Sequence, residues 1–260
     1  VPFEGLPGPA NAITDVPGLM VGHATLTDGA GGNAVRTGVT AVLPRGHRDS
    51  TCFAGIFSLN GAGEMTGSQW VDESGMLYGP VMITNTHSVG VVRDATVKWQ
   101  KQFHPGSWFG LPVVGETFDG FLSDIDGHHV REEHAWAAIE SAKAGPVEEG
   151  CVGGGTGMLT ARFKGGIGTS SRTVQSGSSD TFTVGKTMAH LSVVAWFEPS
   201  LMCLGPATRL WPGVLVQSNY GGREEFRMAG VPVGAEMAGE LMPIQAPEPV
   251  DSSSTPPSEG

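Results

Sequence analysis

A layered α/β sandwich is the fold class predicted, and three observations predict it. Short β-branched and aromatic runs alternate with glycine turns, as in residues 37–44 (TGVTAVLP) and 79–84 (GPVMIT). Two longer stretches, 91–103 and 130–143, read as helices. Strands and helices mix without a strict βα alternation, which disfavours a Rossmann or barrel arrangement. Glycine is frequent (40 of 260 residues) and charged residues are few (16%), which suits tight turns and close backbone approaches.

Taken in order, residues 11–22 read as a short strand broken by a Pro17-Gly18 turn. Residues 37–44 and 52–59 follow as strand candidates, the second running into a loop with Gly61, Gly63 and Gly67. The buried-looking strand 79–84 breaks at Asn85-Thr86-His87-Ser88 before the first helix. Residues 111–114 form another short strand, followed by Glu116 to Phe121 as a turn. The clearest helix, 130–143 (VREEHAWAAIESAK), has acids in its first turn, Lys143 in its last, and Gly145-Pro146 beyond. Glycine-rich runs 151–158 and 163–171 come next, then strand-like stretches 214–219 and 226–233 and a Pro/Ser/Thr tail. We read residues 1–244 as a single domain and 245–260 as a flexible linker, with no internal repeat.

Composition excludes several function classes. A net charge of −11 argues against nucleic acid or an anionic membrane as partner, since both select basic patches. No stretch reaches the roughly 20 apolar residues of a membrane span, so a soluble, cytoplasmic protein is expected. A chain opening at Val1 is also compatible with a removed leader. Cys52, Cys151 and Cys203 lie far apart without a CxxC pair, which predicts buried free thiols rather than a disulfide framework or zinc site.

The motif candidates mostly dissolve. Gly153-Gly154-Gly155-Thr156-Gly157 fits neither G-x-x-x-x-G-K-[ST] nor G-x-G-x-x-G, and reads as a tight turn lining a pocket. His128, His129, Glu132, Glu133 and His134 suggest a metal cluster. Only His129 and Glu133 have helical i, i+4 spacing, so a solvated helix start is the better reading. There is no G-x-S-x-G elbow. Asn60, Asn85 and Asn219 each follow a strand near glycines. An asparagine there serves a turn, or donates its side-chain N–H to a developing oxyanion.

Several motifs in order, GEMTG (63–67), ITNTHSVG (83–90), ETFDGFLSDIDGHHV (116–130), GGGTGM (153–158), FKGGIGTSSR (163–172) and VLVQSNYG (214–221), cover nearly the whole chain. In these the sequence resembles the DmpA-type self-processing aminopeptidases, peptidase family S58, which include L-aminopeptidase/D-esterases and β-peptidyl aminopeptidases. The resemblance implies an αββα sandwich of the N-terminal nucleophile type. It also implies a precursor that cuts its own backbone before a serine, whose free amine then serves as base. On that reading the scissile bond follows Gly260, and the nucleophile begins a β chain of the same precursor. The resemblance carries the oxyanion donor to Asn219 and an aromatic wall to Phe121, where some members have tyrosine. It suggests Glu116 first and Asp119 second as the carboxylate for the substrate amine, against a reading in which both only cap the turn. It implies oligomers of αβ units acting on short peptides, amides or esters with a free amine, with no metal and no organic cofactor.

Residues 186–212 have no counterpart in that pattern. With them removed, TFTVG joins GVLVQSN as one strand. Gly185-Lys186 and Pro212-Gly213 can be encoded with splice-donor and splice-acceptor edges, so an in-frame retained intron is expected, with an insertion loop over the active-site mouth as the alternative. Rival readings of the whole chain are a catalytically inactive relative and a small-molecule-binding α/β domain.

Overall fold

Side chains alternate between the two faces of a strand, and one strand shows how the layers arise. In the computed structural model, which describes residues 6–48, 51–58, 61–106, 110–175, 191–196, 209–210 and 213–219, the elements run as follows. β1 (Met20–Asp28), β2 (Val35–Leu43) and β3 (Thr51–Phe53) precede α1 (Ser68–Ser74), β4 (Met76–Tyr78) and β5 (Val81–Asn85). Then come α2 (Val89–Phe103), β6 (Val113–Thr117) and α3 (Glu132–Glu140). The remainder is strand: β7 (Leu159–Thr160), β8 (Phe163–Lys164), β9 (Ile167–Ser171), β10 (Val174–Gln175), β11 (Leu191–Trp196), β12 (Arg209–Leu210) and β13 (Gly213–Ser218). On β2, Val39, Ala41 and Leu43 pack under the helices, with Val92, Ala95 and Trp99 of α2 and Ala135, Ala138 and Ile139 of α3. Val42, on the other face, joins Val21, Ile83 and Val113 against Ile167 and Leu215 of β9 and β13.

The larger sheet has strand order β1-β2-β5-β6. Its first three strands are antiparallel, whereas β5 and β6 are parallel, joined by α2 as the crossover that parallel strands require. The smaller sheet, β11-β13-β9, is antiparallel throughout. Helices, large sheet and small sheet thus make three successive layers among the described residues. Gly22 lets α3 lie close on β1: a Cβ there would fall 2.1 Å from the Ala138 carbonyl oxygen. The N-terminal segment is tied to the small sheet through Asp15, which accepts from Ala10 N–H (3.0 Å), Ala12 N–H (3.1 Å) and Ser171 Oγ (2.6 Å). Ile13, Val16 and Leu19 from this segment fill the space between sheets.

Most expected elements are present, with shifted ends. The strand expected at 52–59 is short, ending at Phe53, and the turn at Pro17-Gly18 precedes a nine-residue β1 rather than interrupting a strand. Residues 116 and 117 belong to β6, because parallel pairing with β5 carries the ladder to Asn85↔Thr117. The helix expected over 130–143 covers only Glu132–Glu140; Lys143 instead exchanges two backbone hydrogen bonds with Val21, each 3.1 Å. The glycine- and serine-rich run around 167–171 is a strand. Within 186–212, β11 forms the edge of the small sheet beside β13. The strand expected at 226–233, Asn60 and the linker 245–260 lie outside the described residues. No helix among the described residues is long and apolar enough to cross a membrane.

Candidate active site

The parallel strands β5 and β6 end side by side, so Asn85 and Thr117 emerge together at one edge of the large sheet. From the facing sheet, β13 ends at the same place. Gln217 donates Nε2–H to Thr117 Oγ1, and two residues later Asn219 donates Nδ2–H to the Phe118 carbonyl oxygen at 2.9 Å. Asn85 Nδ2 donates to Asp119 Oδ1 at 3.3 Å. Three consecutive residues, Thr117 to Asp119, therefore receive the side-chain amides of two different strands. This cross-sheet clamp holds Asn219 against the turn that follows β6.

The candidate residues differ sharply in access. Asp119 is fully buried, as is Gln217, and Asp119 Oδ2, Asn85 Oδ1 and Gln217 Oε1 find no hydrogen-bond partner among the described residues. Burial pushes the Asp119 carboxyl above the usual range, opposed by the Thr37 and Asn85 side chains and by nearby His87. Glu116 is only half-buried and accepts from the Thr86 hydroxyl. Phe118 and Phe121 are 43% and 52% exposed and meet edge to face at 5.5 Å, so the turn presents an aromatic pair to solvent. Glu116, Phe118, Phe121 and Asn219 thus share one edge, while Asp119 lies beneath it. Gly260 lies outside the described residues.

The glycine run 153–157 packs against this region without offering an anion loop. Gly153 N–H donates to Thr25 Oγ1 (2.8 Å), Gly154 N–H to Thr40 Oγ1 (3.1 Å) and Gly155 N–H to Val152 O (2.9 Å), so the donors a phosphate needs are taken. A Cβ on Gly154 would stand 2.4 Å from Gln217 Oε1, so this position keeps the clamp closed-packed. The histidine-rich stretch is also spoken for: His129 Nε2 meets Asp124 Oδ2 at 3.0 Å, and His134 Nδ1 accepts Arg131 N–H at 2.9 Å at the start of α3. Sequence reasoning singled out Asn219, Glu116, Asp119 and Phe121. It missed Gln217, Thr86 and the Phe118 carbonyl, whose backbone acceptor carries no sequence signal.

This fold is that of the N-terminal nucleophile hydrolases, in the variant seen in a solved relative. The structure of the L-aminopeptidase D-Ala-esterase/amidase of Ochrobactrum anthropi, described as a prototype for the serine aminopeptidases and a new variant among the Ntn hydrolase fold, superposes with a TM-score of 0.75. It is 39% identical, covering 92% of this chain and 61% of that one. The family model of peptidase family S58 matches residues 11–190, and the chain belongs to that family.

Among its relatives, the beta-peptidyl aminopeptidase BapA of Sphingosinicella microcystinivorans is 50% identical over 94% of this chain. The protein of the same name from Sphingosinicella xenopeptidilytica is 43% identical over 92%. A Burkholderia sp. beta-aminopeptidase structure is 45% identical with a TM-score of 0.72, covering 90% of this chain and 59% of that one. The chain spans about half the length of the curated relatives it matches, 56% and 54% of them.

Proposed function

We propose that this chain forms the oxyanion-stabilising and amine-recognising side of a serine aminopeptidase of the N-terminal nucleophile type. The serine is assigned to a β chain of the same precursor, produced by self-cleavage. The observation that carries the reading is the tether of Asn219. One of its two amide N–H groups is committed to the Phe118 carbonyl, which orients the group and leaves its second N–H to donate elsewhere.

In the proposed reaction the serine Oγ attacks the substrate carbonyl carbon while the serine's own amine takes the hydroxyl proton. The carbonyl π electrons move to oxygen, and the Asn219 N–H stabilises that oxyanion. Collapse expels the amine or alcohol with the proton, leaving an ester that water hydrolyses by the reverse transfer. Glu116 is the residue assigned to the substrate's ammonium: it is accessible, whereas Asp119 is buried beneath the turn. Phe118 and Phe121 wall the entrance. The substrates assigned are short peptides, amides or esters with a free N-terminal amine. The names of the relatives make β-amino-acid amides the first to try. Homo-oligomers of αβ units are part of the same proposal.

The test is to express the complete reading frame and separate it on a denaturing gel. Two fragments are expected, with the second beginning at serine, and Ser→Ala at that position should leave one uncleaved chain. A single chain from the unmodified frame, without aminopeptidase activity, counts against the reading.

A further inference from the structure

The hairpin of β7 and β8 turns through Ala161 and Arg162, and both have positive φ, 50° and 60°. A two-residue hairpin turn of this hand favours glycine or asparagine at those places, because a Cβ disfavours left-handed backbone. Arg162 is exposed, whereas Ala161 is packed in, only 1% exposed. Backbone of this kind persists where surrounding contacts over-determine it, and it collects at functional sites.

The contacts that hold this hairpin lead to Asn219. Lys164 Nζ closes its base by donating to the carbonyl oxygens of Gly165 (2.8 Å), Met158 (3.3 Å) and Gly155 (3.4 Å), and Gly165 N–H donates to Met158 O at 2.8 Å. Gly165 sits so close that a Cβ there would fall 2.7 Å from both Thr160 Oγ1 and the Ser218 carbonyl oxygen. Thr160 Oγ1 donates to that carbonyl at 2.7 Å and lies 2.8 Å from Ser218 Oγ. A hydroxyl carries one proton, so Ser218 donates the second contact. Ser218 N–H in turn donates to Gly166 O at 3.0 Å. Both backbone polar groups of Ser218 are thus bound by the 158–166 stretch, and its carbonyl lies in the planar peptide that leads into Asn219.

We infer that Thr160 is a positioning residue for the proposed reaction: its hydroxyl pins the 218–219 peptide and, through it, the Asn219 amide. The Phe118 carbonyl fixes the tip of the Asn219 side chain, whereas Thr160 fixes the backbone from which that side chain springs. With both ends held, the second N–H of Asn219 keeps one direction. Such placement matters because a misplacement of about 1 Å in an active site can cost about 100-fold in rate. The inference rests on the reading of Asn219 as the oxyanion donor, and Thr160 acts through Asn219 without touching substrate.

The experiment is a double-mutant cycle on kcat in the processed complete protein, with an amide substrate bearing a free amine. Thr160→Val keeps the shape and removes the hydroxyl. It should lower kcat about 10- to 100-fold with KM little changed, and Thr160→Ser, which keeps the hydroxyl, should recover most of the loss. In an Asn219→Ala background the same Thr160→Val change should cost about twofold or less, because residues that act through one group are not additive. Circular dichroism checks each variant, and Thr160→Ala serves for the same cycle where the valine does not fold. An equal loss with and without Asn219 assigns Thr160 a structural role and overturns the inference, as does an unchanged kcat on losing the hydroxyl. An Asn219→Ala variant with unchanged kcat removes the oxyanion reading itself, and this inference with it.

Discussion

At Asp119, burial and hydrogen bonding pull the carboxyl in opposite directions, and burial prevails. Its folded-state pKa is raised, so the native chain holds this proton where the unfolded chain has released it. Stability from this group is therefore greatest below the unfolded carboxylate value and falls as pH rises through the raised folded value. Asp119→Asn keeps an acceptor for Asn85 without a charge. We expect it to flatten the pH dependence of Tm above the usual carboxylate range and to raise Tm at the alkaline end; an unchanged slope would mean that Asp119 is not the titrating group. Glu116 belongs to the same scale. Glu116→Gln should raise KM for substrates with a free amine by about tenfold or more, the loss of one charge-assisted contact, while hydrolysis of N-acylated esters is unaffected. Equal effects on both substrate types would assign Glu116 a structural role. Asparagine at a strand end is legible in a sequence; the carbonyl that orients it is not.

At the scale of elements, close approach between α3 and β1 rests on a missing side chain. Gly22→Ala pushes a methyl against the Ala138 carbonyl oxygen and should cost about 1–3 kcal/mol in denaturant unfolding. Gly32→Ala, whose Cβ meets nothing within 4 Å, serves as the neutral control. Strands β2 and β5 and helix α2 were readable because apolar periodicity matches the period of the element. β9 was not, because IGTSS carries hydroxyls instead of apolar alternation. The structure shows what they are for: Thr169 Oγ1 accepts Ile13 N–H at 2.7 Å and donates to Val214 O at 2.8 Å, while Ser171 Oγ accepts Gly8 N–H at 3.1 Å. Tertiary hydrogen bonds replace local propensity there. For 186–212, the β11 pairing suits a genuine insertion, whereas the retained-intron proposal requires a mature transcript without those codons; sequencing that transcript decides between them.

For the whole molecule, the two sheets matter because the candidate site belongs to neither alone. Asn219 comes from the small sheet, Glu116 and the aromatic turn from the large one, and the Gln217 and Asn219 amides lock the two together, while Asn85 braces the turn from within the large sheet. The layered fold and the family were legible from motifs spread along the chain, while the cross-sheet clamp needed three dimensions, since Gln217 and Thr117 are 100 residues apart. The central claim is that this clamp aims Asn219 at a developing oxyanion. The most direct test is steady-state kinetics of Asn219→Ala in the processed complete protein, with an amide substrate bearing a free amine. The account predicts a fall in kcat of about 100- to 1000-fold, the scale of one lost oxyanion donor, with KM and Tm little changed. An unchanged kcat, or a loss confined to KM, would contradict it.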